Sequence, residues 1–259
     1  MPPQAHVLAA FGIRGNEPVP ASGGGWRCDD VLLRLTANPA VASWTARTLG
    51  ELRVPDVRIA RPVRSTDGRL VVGGWWATRF LAGEPQPHFD DTVSVAVKLN
   101  QATSELARPK FTEERAGVFA VADRMAWGEL EAKLKPELGG RLFDVLAGSR
   151  RDVRAAPQLV HADLFGTLLF AEGEPPAVTD LVPYWRPAEW AAAVVVIDAL
   201  AWGGADTEIL RRWSHLPDWP QELLRALLFR LAGHALHPRS SEASLRGLEQ
   251  AAHHVMPLL

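Results

Sequence analysis

The chain has 259 residues, a formal net charge of −2 and 47% hydrophobic residues, enough apolar surface for a packed core, which excludes a disordered chain. Its arginines are scattered rather than clustered, so we expect no nucleic acid partner. The longest apolar stretch, residues 190–202, is interrupted by Asp198 and is shorter than the about 20 residues that a membrane-spanning helix needs. We therefore also expect no membrane partner.

Cys28 is the single cysteine and cannot form an internal disulfide, and no cysteine and histidine pair has the spacing of a structural zinc site. The first residues lack a basic flank followed by a long apolar stretch, the pattern of a secretory signal. These features predict a cytoplasmic protein.

The first third of the chain alternates turn-forming residues with short β-prone runs. The predicted strand regions are 26–35, 57–63, 70–72 and 75–81, with one helix at about 40–52. This order predicts that residues 1–84 form a small antiparallel nucleotide-binding lobe, with residues 82–85 as the hinge that leads out of it.

Helical periodicity dominates from residue 90 onward. The predicted helices are 92–106, 118–134, 138–148, 188–202, 207–214, 221–235 and 241–256. Residues 85–259 are therefore predicted to form a larger, mainly helical lobe that carries a β-hairpin. The predicted fold class is α+β.

Two carboxylates, Asp163 and Asp180, lie at the ends of short apolar strands in that hairpin. A carboxylate at Asp163 can accept the hydrogen of an acceptor hydroxyl and orient its oxygen. Asp180 supplies a hard oxygen ligand of the kind that Mg²⁺ prefers when it bridges two phosphates. The pair predicts phosphoryl transfer from ATP; the alternatives are a loop-capping Asp163 and an Asp180 that initiates the turn before Val182.

The order His161-Ala-Asp163-Leu, an apolar strand and a second strand ending in Asp180 resembles the aminoglycoside phosphotransferase and choline kinase superfamily. The resemblance covers residues 20–235 and is that of a divergent, actinobacterial-type member. It implies a two-lobed protein kinase-like fold, ATP and Mg²⁺ as cofactors, and a small polar molecule as acceptor. It also implies that His161 has a mainly structural role beside the catalytic Asp163, and that Asp198 accepts backbone N–H groups from residues 161–164.

A run of small residues, Ser22, Gly23, Gly24 and Gly25, precedes the first long β-prone region. Its glycines would let backbone N–H groups approach phosphates, although the run does not match a Walker pattern and a flexible turn is the alternative. In the superfamily a lysine follows on the next strand, and here the residue is Arg34. We predict that these five residues bind the nucleotide.

Three positions depart from the superfamily pattern. Arg34 replaces the lysine, and the helix that should pair with it carries only Glu51, near its end, so that an inward Arg47 would bring two cations together. The asparagine after Asp163 is replaced by Thr167 or, without a one-residue deletion, by Leu168. A hydroxyl is a poorer metal ligand than an amide carbonyl, yet Thr167 is the predicted second ligand beside Asp180.

These departures leave two functional hypotheses. The first is a kinase-like small-molecule phosphotransferase that moves the γ-phosphate of ATP to a substrate hydroxyl, with either full or degraded catalysis. The second is a pseudokinase, a non-catalytic module that binds nucleotide or a protein partner through exposed tryptophans. The candidates for such anchors are Trp75, Trp76, Trp185, Trp190, Trp213 and Trp219. A third hypothesis is a purely structural two-domain protein without a ligand pocket, which would leave the two aspartates of the hairpin without a function.

Overall fold

The computed structural model describes residues 1–15, 17–21, 24–113 and 115–259. The chain forms two compact units, the first comprising residues 1–86 and 166–181 and the second comprising residues 87–165 and 182–259. An antiparallel sheet dominates the first unit and helices dominate the second, so the predicted α+β class is confirmed.

The described residues of the first unit form two sheets and two helices. The helices are α1 (Ala5–Ala10) and α2 (Pro39–Glu51). The strands are β1 (Val19–Pro20), β2 (Trp26–Cys28), β3 (Val31–Leu35), β4 (Arg58–Ile59), β5 (Pro62–Val63), β6 (Val71–Val72), β7 (Trp75–Arg79), β9 (Leu169–Ala171) and β10 (Glu174–Val178). The short helix α1 was not predicted.

The larger sheet has the order β1-β2-β3-β7-β5, with β6 also paired to β7, and every pairing is antiparallel. The central strands β3 and β7 place Arg34 opposite Trp76. Beside it, α2 begins at Pro39 because the Asn38 side chain accepts hydrogen bonds from the backbone N–H groups of Ala40 and Val41. The predicted helix at 40–52 is confirmed.

The smaller sheet explains a difference from the predicted division of the chain. Residues 166–181, predicted to belong to the helical lobe, are part of the first unit. Their strand β10 pairs antiparallel with β9 and parallel with β4, so Ala177 lies opposite Arg58. Glu84 and Phe170 add a backbone bridge to this arrangement.

The second unit consists of helices and a two-stranded ribbon. Its helices are α3 (Phe89–Thr103), α4 (Val118–Ala126), α5 (Gly140–Ala147), α6 (Ala188–Asp198), α7 (Ile209–Arg212), α8 (Trp219–Leu236) and α9 (Glu242–Val255), with a π-helix at Ala199–Gly203 and 3₁₀ turns at Lys110–Thr112, Pro136–Leu138 and Met256–Leu258. The ribbon pairs β8 (Gln158–His161) antiparallel with β11 (Pro183–Arg186).

Helix α6 forms the centre of the second unit. It is apolar on all sides, as a fully buried helix must be, and it packs against α3 and α8. Several predicted helices are longer than the observed ones, and the helix predicted at 207–214 is reduced to α7. The helix predicted at 118–134 ends at Ala126, before Gly128 with its φ of 73°, and the helix predicted at 188–202 continues beyond Asp198 only as the π-helix. Within the described ranges, no helix combines the length and apolar character required to cross a membrane.

Candidate functional site

The β8–β11 ribbon positions His161 and the loop that carries Asp163. His161 is buried, lies opposite Pro183, and its Nδ1 accepts a hydrogen bond of 3.0 Å from the backbone N–H of Val182. A ring nitrogen that accepts a backbone hydrogen bond is not available to take a proton from a substrate. This geometry suits the structural role that the superfamily resemblance implies for His161.

Asp163 is half-buried and lies beside a buried ion pair. Arg230 on α8 donates to Asp198 on α6 through Nε at 2.6 Å and through Nη2. Burial raises the pKa of Asp198, against the opposing effect of Arg230, and the charge of Asp163 adds to the increase. For Arg230, burial lowers the pKa, but the carboxylates of Asp198 and Asp163 outweigh it and raise the pKa. The positive charge of Arg230 therefore offsets the negative charges of both Asp198 and Asp163.

In the first unit, Arg34 projects from β3 toward the end of β10. Its Nη2 donates a hydrogen bond of 3.1 Å to the hydroxyl of Thr179, and its guanidinium lies 5.6 Å from the centroid of the Trp76 ring. Burial lowers the pKa of Arg34, and the nearby Asp180 carboxylate acts in the opposite direction. Among the described residues, Nη1 of Arg34 is buried without a hydrogen-bond partner. A buried donor of this kind requires an acceptor, and phosphate oxygens match a guanidinium.

Asp180 follows Thr179 and is half-buried. One of its oxygens, Oδ1, accepts the backbone N–H of Leu181 at 2.8 Å. The part of the chain that the structure describes contains no cluster of three histidine, cysteine or acidic residues that could hold a metal ion. Mg²⁺ does not need such a cluster at a phosphate site, because it is bound there by one or two carboxylates together with substrate oxygens and water. The single carboxylate of Asp180 is compatible with that mode.

Thr167 and Leu168 are the two candidates for the position at which the superfamily has an asparagine. Leu168 is buried in the apolar core, whereas Thr167 is half-buried and lies in the same unit as Asp180. Only the hydroxyl of Thr167 has the chemistry of a ligand. Its role as a metal ligand stays a prediction.

The glycine run lies partly outside the described residues, which exclude Ser22 and Gly23. Gly24 and Gly25 belong to the turn between β1 and β2, closed by hydrogen bonds of 3.2 Å from Ala21 N–H to Gly25 O and from Gly24 N–H to Ala21 O. Gly25 has a φ of 92°, and a Cβ there would lie 2.6 Å from the carbonyl oxygen of Leu33. This glycine is therefore required for the close approach of the turn to β3.

Helix α2 supplies no partner for Arg34 among the described residues. Its one acidic residue, Glu51, is exposed at the last position of the helix. Arg47 is exposed as well, so the conflict between two cations that an inward Arg47 would create does not arise. Thr179 takes the place of the missing acid as the partner of Arg34.

Two contacts of the site were not predicted from the sequence. Thr179 had a signal, because it directly precedes Asp180 at the end of a strand. Arg230 and Asp198 each have apolar neighbours along their helices, and each needs an opposite charge when buried. Their pairing could have been inferred from that need; the partner predicted for Asp198 was instead a set of backbone N–H groups.

The tryptophans named as possible anchors differ in their exposure. Trp185 and Trp213 are half-buried, and the exposed member of the described chain is Trp202 on the π-helix, at 49%. Most of the proposed anchors are instead buried in the core, namely Trp75, Trp76, Trp190 and Trp219. These four residues are therefore ruled out as anchors for a partner.

No protein-family model matches the chain, and no curated protein matches it in sequence. Solved structures do resemble it. The AMP-bound complex of spectinomycin phosphotransferase has a TM-score of 0.61 and 11% identity, covering 97% of this chain and 96% of that chain. A thermostable mutant of an aminoglycoside phosphotransferase in a ternary complex with AMP-PNP and hygromycin B has a TM-score of 0.57 and 11% identity, covering 97% of each chain.

A choline/ethanolamine kinase family protein from Mesorhizobium loti has a TM-score of 0.52 and 17% identity, covering 95% of this chain and 89% of that chain. At these identities the likeness establishes the fold. It agrees with the resemblance that the His-x-Asp-Leu hairpin indicated. The chain has the kinase-like fold that the aminoglycoside phosphotransferases share with the choline/ethanolamine kinase family protein.

Proposed function

We propose that the protein is a phosphotransferase that moves the γ-phosphoryl group of ATP to a hydroxyl of a small polar molecule. The observation that carries the proposal is the placement of Arg34 and Asp180 around Thr179. The buried guanidinium of Arg34, whose Nη1 has no partner among the described residues, lies within electrostatic reach of the Asp180 carboxylate. A cation for phosphate and a carboxylate for a metal ion are the two charges that hold a nucleoside triphosphate.

The candidate site residues of the first unit then have roles in binding the donor. Arg34 binds phosphate oxygens through its Nη1, and Asp180, with Thr167, would hold Mg²⁺. When bound, the metal ion neutralises the negative charge that develops on the transferring phosphoryl group. Of the described part of the glycine run, the backbone N–H of Gly25 is the group that we assign to the phosphates, because the N–H of Gly24 is already donated to the carbonyl oxygen of Ala21.

In the second unit, Asp163 orients the acceptor hydroxyl and accepts its hydrogen as the new bond to phosphorus forms. The buried Arg230–Asp198 pair supports this task. Its cation, Arg230, interacts electrostatically with Asp163 as well as with Asp198.

Proteins of the same fold provide independent support. One was solved with AMP bound, and another with AMP-PNP and hygromycin B together, a nucleotide and a small polar molecule. A nucleotide and a small polar acceptor are therefore the ligands that we propose for this chain.

A second hypothesis, nucleotide binding without turnover, is favoured by one observation. Arg34 pairs with the neutral Thr179, and among the described residues no acid of α2 reaches it. Losing groups that position phosphates commonly removes about 3 kcal/mol of transition-state stabilisation each. A protein that binds nucleotide and transfers nothing would support this hypothesis.

The experiment is an assay of ADP release, in which the protein is incubated with ATP, Mg²⁺ and a panel of hydroxylated small molecules. The test compares the protein with its Asp163→Asn variant, and the control is Asp144→Asn, an exposed aspartate on α5. Acceptor-dependent release that is lost in Asp163→Asn and kept in Asp144→Asn supports the proposed function. Release that is equal in all three proteins would contradict it.

A further inference from the structure

The second unit contains a pocket of about 430 Å³ beside the β8–β11 ribbon. Pockets that bind small molecules commonly have volumes of about 300–1,000 Å³. The described residues that form its charged wall are four arginines and three carboxylates, together with two aromatic residues. They are Arg108, Arg115, Arg124, Arg186, Glu113, Asp123, Glu129, Tyr184 and Trp185.

Two of the three carboxylates are engaged by one arginine. Arg186 donates to both oxygens of Asp123, at 2.8 and 2.9 Å, and to both oxygens of Glu129, at 2.5 and 2.9 Å. These four hydrogen bonds hold Asp123 and Glu129 against Arg186 and occupy most of the N–H groups of its guanidinium. Asp123 and Glu129 are therefore poorly placed to serve as receptors for a cationic ligand.

Arg115 is oriented by a carbonyl group and an aromatic ring, and its charge also acts on the nearby Asp123. Its Nη1 donates a hydrogen bond of 2.7 Å to the carbonyl oxygen of Pro183, and its guanidinium lies 4.0 Å above the ring of Tyr184. Among the described residues, no carboxylate forms an ion pair with it. A guanidinium that is oriented by a carbonyl and an aromatic ring keeps its remaining N–H groups for an anion.

Arg108 adds a second, weaker contact at the same wall. Its pairing with Glu113 has an N···O distance of 3.4 Å, and the two side chains are 44% and 62% exposed. Surface pairs of this kind contribute little, so an anion can recruit Arg108 at small cost. Trp185, whose ring lies 5.8 Å from the Arg108 guanidinium, offers a flat apolar surface beside the two arginines.

We propose that this pocket binds a small molecule through a carboxylate or phosphate group, with Arg115 as the principal contact and Arg108 as the second. The negative charge of the bound group follows from which charged side chains of the pocket are already paired with one another. The carboxylates of the pocket are already hydrogen-bonded to or paired with arginines, whereas Arg115 forms no ion pair with any described residue.

The position of the pocket bears on the acceptor. Tyr184, which forms part of its wall, pairs with Val160 on the strand that leads to Asp163, and Arg230 interacts electrostatically with both Tyr184 and Asp163. An anionic group held by Arg115 thus makes an acidic hydroxyl compound the preferred acceptor class. This last step rests on the proposed function, whereas the binding of the anion does not.

The experiment is isothermal titration of the full chain with inorganic phosphate, glycerate and glycerol 3-phosphate, with choline as the cationic control. Three variants accompany it: Arg115→Gln, Arg108→Gln, and Arg246→Gln as a matched exposed arginine on α9. We expect saturable binding of at least one anion, weakened about tenfold or more in Arg115→Gln and less in Arg108→Gln, because each loses a charge-assisted hydrogen bond. Arg246→Gln should bind as the unmodified protein does.

A further variant, Arg34→Met, separates this pocket from the proposed nucleotide site. Anion binding that is lost in Arg34→Met and kept in Arg115→Gln would assign the anion to the nucleotide site and overturn the proposal. Absence of saturable binding of all three anions at millimolar concentrations would overturn it as well. Because Arg115→Gln also removes a contact to Pro183, thermal unfolding of each variant is recorded, and Arg108→Gln provides the test if Arg115→Gln is unfolded.

Discussion

Arg34 on β3 donates a hydrogen bond of 3.1 Å to the hydroxyl of Thr179, the residue that precedes Asp180. The bond ties the central strand of the larger sheet to the end of β10 and sets a guanidinium beside a carboxylate. In the superfamily pattern a lysine on this strand pairs with an acid on the next helix. Here the arginine is oriented by a neutral hydroxyl, and its Nη1, which no described residue accepts, is left for a ligand.

Replacement of Arg34 tests this relationship. We expect Arg34→Met to weaken the binding of an ATP analogue with Mg²⁺ by about tenfold or more, because a charge-assisted hydrogen bond to phosphate is lost. Arg34→Lys should recover only part of the affinity, since a compact ammonium cannot bond Thr179 and phosphate in the same fork geometry. Calorimetric titration measures both. Arg14→Met, an exposed arginine in the same unit, is the control, and an Arg34→Met affinity equal to the control value would refute the role.

Replacement of Asp163 separates catalysis from nucleotide binding. We expect Asp163→Asn to lower kcat by about 10²-fold or more, the usual contribution of a positioned acid–base group, while the affinity for nucleotide stays unchanged. Steady-state kinetics on the acceptor found in the ADP-release assay, together with titration of nucleotide, give both quantities. A parallel loss of nucleotide affinity would indicate that Asp163 acts on the donor instead.

The Arg230–Asp198 pair should contribute to the stability of the second unit in a way that depends on both partners. Arg230→Met leaves the buried Asp198 without its cation, and we expect a loss of about 3–5 kcal/mol in the free energy of unfolding. The double variant Arg230→Met/Asp198→Leu removes both charges and should recover most of that loss. Urea denaturation measures each value. A loss below about 1 kcal/mol in the single variant would show that Asp198 is stabilised by other donors.

Glu222 should make stability depend on pH. It is fully buried on α8, neither of its oxygens has a partner among the described residues, and burial raises its pKa from 4.5 to about 8. In the folded chain the carboxyl therefore stays protonated where the unfolded chain has lost the proton. The stability that the protonated Glu222 contributes is fully present below pH 4.5. It is lost as the pH rises toward 8, with a slope in the free energy of unfolding of at most about 1.4 kcal/mol per pH unit.

The Glu222→Gln variant carries no titrating group and should flatten that slope between pH 5 and 8. Urea denaturation across this pH range measures it, with Glu249→Gln on the exposed side of α9 as the control. If Glu222→Gln and the unmodified protein lose stability with the same slope, Glu222 is ionised in the fold and has partners that compensate its charge.

Much of the fold could be predicted because its signals are local. The helix α2 has a capping asparagine and a proline at its first position, and α6 has a continuous apolar run. The short helix α1 had neither signal. The end of α4 at Ala126 could not be read from periodicity, because apolar residues continue at helical spacing beyond it while Gly128 adopts a left-handed conformation.

The site could be predicted only where chemistry and spacing coincide. Asp163 and Asp180 stand out because each follows a short apolar strand, and Arg34 because it replaces an expected lysine. Arg34 and Thr179 are 145 residues apart in the sequence, so no local pattern predicts the hydrogen bond between them. The bond also depends on β10 belonging to the first unit. The pairing of Arg115 with a carbonyl and an aromatic ring is likewise a tertiary feature, without a motif in the sequence.

The most direct test of the central claim is calorimetric titration of the protein with AMP-PNP, with and without Mg²⁺, run beside the Asp180→Ala variant. We predict binding that is strengthened by Mg²⁺ in the unmodified protein and that loses this dependence in Asp180→Ala, because the carboxylate that would hold the metal ion is gone. Absence of heat and of any thermal shift at millimolar nucleotide would contradict the account and leave the kinase-like fold without a nucleotide site.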